Sequence, residues 1–577
     1  MTSDSRKKVV IAVVLAAVAL VFFAAYSFLV WSAPLRFASP DENANWFFVR
    51  AFKEDNRLWA FDDLNLYAGG LIHPRSTKVI ADVIVPGGFL GLPVIYGSAA
   101  KFLGLGTAPY YTAALAALAA LAFGLTVRRL LGGRGGLIAG LLLLVQPVWW
   151  YEANRAFMPN TLFASLLIFS AFFLFTAPMA GLAARKSVKR ILPPDCIDGI
   201  IGGLLLGLAL AVRLSEAQWI AIGLAAALVF APNRGFRYRL AAAAVGALFA
   251  LSPFLLLNQS VYGSAFATGY AQAVTDVPVA EMPEGRGAAL LGPLRPILFP
   301  LGFAPRTALA NFWTYGVSMF WWWSALVVLA AAFWLAGPLR TVGHRVLSAV
   351  KRERRKEGKT ERGGHIDNAW LGFIAAAAMM SAWLIMMYGS WSIQDNPDPE
   401  AVTIGSSYLR YWLPIFVAST VPVAWLGDRL LGLVDRRYRA TVGLGIFMAL
   451  AAASGASVLY APQEGLLAVR RNLYKFDSQA KTIMALTEPR SLIVVDRADK
   501  FVFPDRPVIY PLRDEKTYEA VSELRARTPV YYWGITFSDR DLRYLNEEKL
   551  PPLGLTISRM ETVGEESLYR FEQAESR

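Results

Sequence analysis

Apolar runs of about twenty residues recur along most of this chain, each long enough to cross a hydrocarbon core of roughly 30 Å. They fall near residues 9–31, 83–103, 107–127, 135–150, 159–179, 197–214, 217–231, 239–257, 311–337, 369–390, 408–428 and 440–460. Composition agrees with a membrane solvent: 17% of the 577 residues are charged, against about 25% in a soluble domain. The expected fold class is therefore mainly α, a polytopic membrane helical bundle. The first run follows Arg6, Lys7 and Lys8. It is longer than the apolar stretch of a secretory signal and no small-residue cleavage site ends it, so an uncleaved first span is expected.

Basic clusters orient the bundle, because Lys and Arg resist translocation. They are Arg6–Lys8, Arg128/Arg129/Arg134, Arg185–Arg190, Arg234–Arg239, Arg340–Arg362 and Arg436–Arg439. If all twelve runs crossed, every cluster after the first would land outside. The run at 83–103 is the one to remove. Its stretch 82-DVIVPGGFLGLPVIYG-97 carries Pro86, Pro93 and four glycines, and that density breaks a helix. Read as a juxtamembrane or re-entrant segment, it leaves about eleven spans, with the N-terminus cytoplasmic and the C-terminus outside. The net charge of +14 then belongs to inner loops, among them the solvated 340–362 stretch, and nucleic acid is not expected as a partner. One cysteine (Cys196) and three histidines (His73, His344, His365) leave no disulfide framework and point to no metal cluster. No cofactor is expected.

Residues 1–460 form the membrane unit, with 32–106 as a first outer loop carrying juxtamembrane helices. The loops 258–310 and 391–407 are also outer. From Ala461 the composition turns to that of a soluble α/β domain, expected outside the membrane over 461–577. Strands are expected at 491–496, 506–511, 528–534 and 567–572, with helices near 474–488, 516–527 and 538–549.

The outer face carries the chemistry. Just beyond the first span stands 39-SPDENANW-46, with adjacent carboxylates Asp41 and Glu42. Trp46, Phe47, Phe48 and Phe52 suggest a helix lying along the membrane interface, which Asp41 is placed to cap. Neighbours on a helix point about 100° apart, so the two acids cannot serve one pocket from one helical face. Further along come Glu152 and Arg155 in 149-WWYEANRAFMPNTLF-163, then Arg410 between Tyr408 and Tyr411 in 405-GSSYLRYWLP-414. Outer arginines run against the positive-inside bias. Each has a plain explanation, a salt bridge to an acid. Several of them with acids and tyrosines on one side better suit a pocket for a phosphate and a sugar, because guanidinium matches phosphate oxygens and stays charged when partly buried. Arg213 and Glu216 sit at another outer turn and are expected to pair with each other.

These residues, in this order, resemble the GT-C superfamily of membrane glycosyltransferases, close in layout to protein O-mannosyltransferases and aminoarabinose transferases. The likeness rests on the first span, 41-DENAN-45, 73-HPRS-76, the broken 85-VPGGFLGLP-93, 128-RRLLGGRGGLIAGLLLLVQP-147, 152-EANRAFMPNTL-162 and 408-YLRYWLP-414. It covers roughly 9–460. Two departures stand out. Many relatives carry an acid where this chain has Asn160, which is given no catalytic role. The WWD-type motif of oligosaccharyltransferases is missing, which disfavours en bloc transfer to asparagine.

The resemblance implies a sugar donor linked through phosphate to a polyprenyl lipid, and an acceptor hydroxyl on protein, lipid or polysaccharide. Asp41 would be the general base, with Glu42 beside it as an orienting group. Arg155 and Arg410, with Arg75 third, would hold the donor phosphate. Glu152, His73, Tyr408 and Tyr411 would support these groups or touch substrate. No divalent metal is implied, and a single displacement would invert the anomeric carbon. The competing reading is a transporter or flippase of a lipid-linked saccharide. It calls for ionisable residues deep in the spans and paired inverted repeats, whereas charges here gather at span ends. Two roles stay open for the C-terminal domain: selecting acceptor or capping the site, and simply packing on the outer loops.

Overall fold

The computed structural model describes residues 3–178, 193–230, 234–270, 301–351, 368–393, 396, 398 and 400–574. The cluster Arg185–Arg190, residues 271–300 of the second long outer loop and residues 352–367 of the basic inner loop lie outside the described residues. Among the described residues, seven helices are long and apolar enough to cross a membrane, and a pair bent by 96°, Pro305–Ser318 and Trp321–Ala336, adds another. One of the seven is Leu105–Val145, which is two arms and not one rod. The chain turns at Gly132, where φ is 77°, a backbone region closed to most side chains. Beyond it Gly136 and Gly140 pack back against Gly124. Both arms, and the shorter apolar helices Ala16–Tyr26 and Leu214–Val229, fall within other expected runs.

The rejected run does not make a span. Residues 77–86 form a two-stranded hairpin of β2 (Thr77–Ile80) and β3 (Val83–Pro86), edged by β1 (Ala60–Phe61). The helix Gly91–Leu103 that follows has 13 residues, about 20 Å of rise and too little to cross. It packs instead on the helix Pro40–Asp55.

Basic residues of two clusters meet at one end of the spans. Helix Pro159–Thr176 starts where Asn160 Nδ2 meets the Arg410 carbonyl and ends where the Thr176 carbonyl accepts from Arg129. Helix Leu413–Leu433 starts beside Arg410 and ends where Arg134 meets Asp428. Arg239 joins the same end through the Leu174 carbonyl and Asp195. Asp41 and the C-terminal unit lie at the other end.

Helix contact without a hydrophobic driving force needs close backbones, and small residues provide them. In Pro194–Val212 the glycines 199, 203 and 207 recur every fourth residue and face the carbonyls of Arg239, Ala243 and Ala247 on Arg234–Tyr262. A Cβ at Gly203 would stand 2.1 Å from the Ala243 oxygen. Gly203→Ala is therefore expected to destabilise the bundle by about 1–3 kcal/mol, the usual cost of overpacking, seen as a lower melting temperature of the purified protein in detergent.

The C-terminal unit is a five-stranded mixed sheet ordered β5–β4–β6–β8–β7. Its strands are β4 (Leu492–Val495), β5 (Val508–Ile509), β6 (Val530–Ile535), β7 (Leu555–Val563) and β8 (Glu566–Gln573). Four match expected strands and the helices Leu466–Leu486, Glu515–Leu524 and Asp539–Tyr544 match expected helices. The strand β7 was not expected. Half of it reads polar and exposed, because it is an edge strand paired on one side only. The boundary at 461 separates compositions and not cores. Phe48, Leu58, Ile84, Val85 and Leu90 of the first outer loop share one buried cluster with Ile493, Val495, Phe501 and Trp533.

Candidate active site

Ser39, not Asp41, caps the helix Pro40–Asp55. Its hydroxyl accepts from the Asp41 N–H, and Glu42 reaches back to the Ser39 N–H (3.2 Å), closing a capping box. The aromatic residues of this helix make contacts within the protein. Trp46 meets Phe157 at 5.1 Å and Phe47 meets Phe503 at 4.8 Å, ring centre to ring centre, while Phe48 is fully buried. The two acids diverge as helical geometry requires.

Glu42 turns inward. Arg155 clasps it with two nitrogens, Nε to Oε1 at 3.1 Å and a terminal nitrogen to Oε2 at 2.7 Å, and both side chains are buried. The other terminal nitrogen of Arg155 donates to the Tyr151 hydroxyl (3.3 Å). Glu152, also buried, acts electrostatically on both Tyr151 and Arg155. The cleft beside this pair, lined by Leu29, Leu35, Phe37, Pro109 and Leu473, holds about 30 Å³. That is room for one water and not for a sugar.

Asp41 turns the other way and stays 28% exposed, against 5% for Glu42. Of the two acids it is the one open to solvent. Its Oδ2 lies 3.3 Å from Arg410, and its Oδ1 accepts from the Ser76 hydroxyl. Arg410 is held from behind: its backbone carbonyl accepts from Asn160 Nδ2 (3.0 Å), and a terminal nitrogen lies 3.4 Å from the Met158 sulfur. Two guanidinium groups lie near the Tyr411 ring, Arg410 at 5.3 Å and Arg213 at 5.0 Å from its centre. It stacks on Tyr388 at 4.4 Å.

Arg213 and Glu216 do pair (2.7 Å), with Tyr388 and Trp219 completing the acid's bonds. Their place beside Tyr411 was missed. The outer-arginine rule that singled out Arg155 and Arg410 applies equally to Arg213, but its acid three residues away supplied a local explanation.

Three further candidates meet other partners. Arg75 is bound to Asp499 of the C-terminal unit, its Nε at 3.0 Å and a terminal nitrogen at 2.6 Å. His73 meets the same unit, edge-on to Tyr510 at 5.7 Å, with Nδ1 at 3.0 Å from the Pro74 carbonyl. Burial holds its imidazole below the usual histidine range. Tyr408 is buried, and its hydroxyl is taken by Asn311, Ile393 and the Trp391 carbonyl, so it serves packing. Among the described residues no three or more His, Cys, Asp or Glu gather as a possible metal site.

Compared with solved structures, the chain is similar over 98% of its own length and 98% of theirs to ArnT from Cupriavidus metallidurans in the apo state, at 14% identity and a TM-score of 0.50. The chain shares its fold with ArnT. ArnT bound to undecaprenyl phosphate aligns over 97% of both chains at 14% identity, with a TM-score of 0.49. The archaeal oligosaccharyltransferase AglB from Archaeoglobus fulgidus aligns over 98% of this chain and 74% of its own, at 12% identity and 0.43. No protein-family model matches, and no curated protein does. A shared fold covers the bundle with its attached C-terminal sheet; chemistry must be argued from the site.

A basic neighbour from the C-terminal unit completes the surroundings. Lys500 donates to the Ala38 carbonyl (3.2 Å) and stands 4.3 Å over the Phe476 ring. Burial, then the Arg75 charge, push its amine down to about 8, with Asp499 opposing and Arg155 and Arg497 adding. Its ordinary value is 10.5. Between the two values the unfolded chain holds more protons than the folded one, so stability rises with pH across that window. Unfolding followed by tryptophan fluorescence from pH 8 upward is expected to show this rise, and Lys500→Met to flatten it.

Proposed function

We propose that this chain transfers a single sugar from a polyprenyl-phosphate donor to an acceptor hydroxyl at the outer face of the membrane, with inversion. The supporting observation is the pairing of a half-exposed carboxylate, Asp41, with a braced guanidinium, Arg410, at the end of the bundle away from the basic clusters. Asp41 takes the proton of the acceptor hydroxyl as its oxygen attacks the anomeric carbon. The bond from that carbon to the phosphate oxygen breaks, and polyprenyl phosphate leaves with the electron pair. Its negative charge grows beside Arg410, a fixed cation in a water-poor site. Tyr411 offers an aromatic edge for the sugar ring. Arg155 and Glu42 hold the acid-bearing helix in place, with Glu152 beside them.

The positive-inside distribution supports an outer-facing site; the N-terminus is then cytoplasmic and the C-terminal unit extracytoplasmic. Purified protein in lipid is tested with a radiolabelled polyprenyl-phosphate sugar and a mixed pool of protein, lipid and polysaccharide acceptors. Label leaving the lipid for an acceptor supports the reading. Donor that only changes leaflet, with its sugar still attached, would establish the flippase instead.

A further inference from the structure

Asp41 is not held by its own helix alone. The Ser76 hydroxyl that donates to it belongs to a short stretch fixed from three sides. On one side, Thr77 Oγ1 donates to the Pro74 carbonyl at 2.7 Å. On the second, the Gly87 N–H donates to the Ser76 carbonyl at 3.0 Å. A Cβ at Gly87 would stand 2.7 Å from that oxygen, so only glycine admits the approach. On the third, Asp499 of the C-terminal unit takes Arg75.

The third contact is more than an interface ion pair. Asp499 is fully buried, and it accepts from the Arg75 backbone N–H (2.9 Å) as well as from the guanidinium. The Arg497 carbonyl accepts from the same guanidinium at 3.1 Å. A bond to the backbone one residue before Ser76 fixes the peptide and not just a side chain. Ser76 itself sits at φ 63°, the left-handed region. A non-glycine residue stays there only when its surroundings over-determine it. That conformation aims its hydroxyl at Asp41.

We propose that the C-terminal unit positions the proposed base: Asp499 fixes Arg75, Arg75 fixes the backbone of Ser76, and Ser76 holds the Asp41 carboxylate in its reactive orientation beside Arg410. The inference rests on Asp41 being the base, and it assigns the C-terminal unit a part in catalysis. Asp499, Arg75 and Ser76 are positioning residues; none touches substrate.

The experiment uses full-length protein in lipid with a radiolabelled polyprenyl-phosphate sugar, comparing wild type, Asp499→Asn, Ser76→Ala and the double variant. Each single change is expected to lower kcat by about 10- to 100-fold, the cost of a misplaced group, with donor KM within about twofold. The double variant is expected to be no slower than the worse single one, because the residues are links of one chain. An unchanged kcat in Asp499→Asn, or losses that multiply in the double variant, would overturn the proposal. Hydrogen exchange supplies the second readout. Amides 75–77 should lose protection in Asp499→Asn while those of β4 keep theirs; loss across the whole C-terminal unit would instead mean a merely structural contact. If Asp499→Asn does not fold, Arg75→Gln replaces it in both arms. Wild type without transfer would refute the proposed function, and exchange at 75–77 would still decide whether Asp499 governs Ser76.

Discussion

Asp41→Asn is expected to leave the protein folded and inserted while lowering sugar transfer by about 10²- to 10⁴-fold, the range of a positioned general base. Asparagine keeps the shape of the side chain and can still accept from the Ser76 hydroxyl, so the local frame survives. What it loses is the ability to take a proton. The neighbouring acid does not substitute, because Glu42 faces the opposite way and has both oxygens on Arg155. Transfer is read by radiolabel with purified protein, and in cells by comparing the glycans of a strain lacking the gene with those of strains restored with either form. Undiminished transfer by the variant would remove Asp41 from the mechanism.

Breaking the pair beneath it is expected to cost stability instead. Glu42→Ala leaves the Arg155 guanidinium buried without its carboxylate and removes the partner of the Ser39 N–H. Losing one member of a buried ion pair costs about 3–5 kcal/mol. Exchanging both members for neutral side chains of similar size, Glu42→Gln with Arg155→Met, should cost much less, because no charge is then stranded. Thermal unfolding in detergent checks both. A melting temperature for Glu42→Ala equal to that of wild type would mean that the clasp does not hold the helix. The two experiments separate the adjacent acids, one expected to act on rate and the other on folding.

The long-range contacts show why these roles needed the structure. Arg75 and Arg410 look alike in the sequence, both outer arginines near polar neighbours, yet one is tied to a partner 424 positions away and the other faces Asp41. Tyr408 and Tyr411 flank the same arginine, but Asn311, Ile393 and Trp391 take the hydroxyl of one while the other lies beside Arg410 and Arg213. The glycine ladder at 199, 203 and 207 was legible in principle as a repeat of small residues every fourth position. Its partner helix was not.

The long apolar runs, the broken segment at 83–103, the attached α/β unit and the acid pair after the first span all follow from local pattern. Hydrophobic length, proline and glycine density and charge bias act within a few turns of chain, and bilayer thickness gives them a fixed scale. Tertiary structure alone decided which acid is exposed, which arginine faces Asp41, and which unit holds Ser76. Those outcomes depend on who meets whom across hundreds of residues, where a buried charge takes whichever partner the packing brings within about 3 Å.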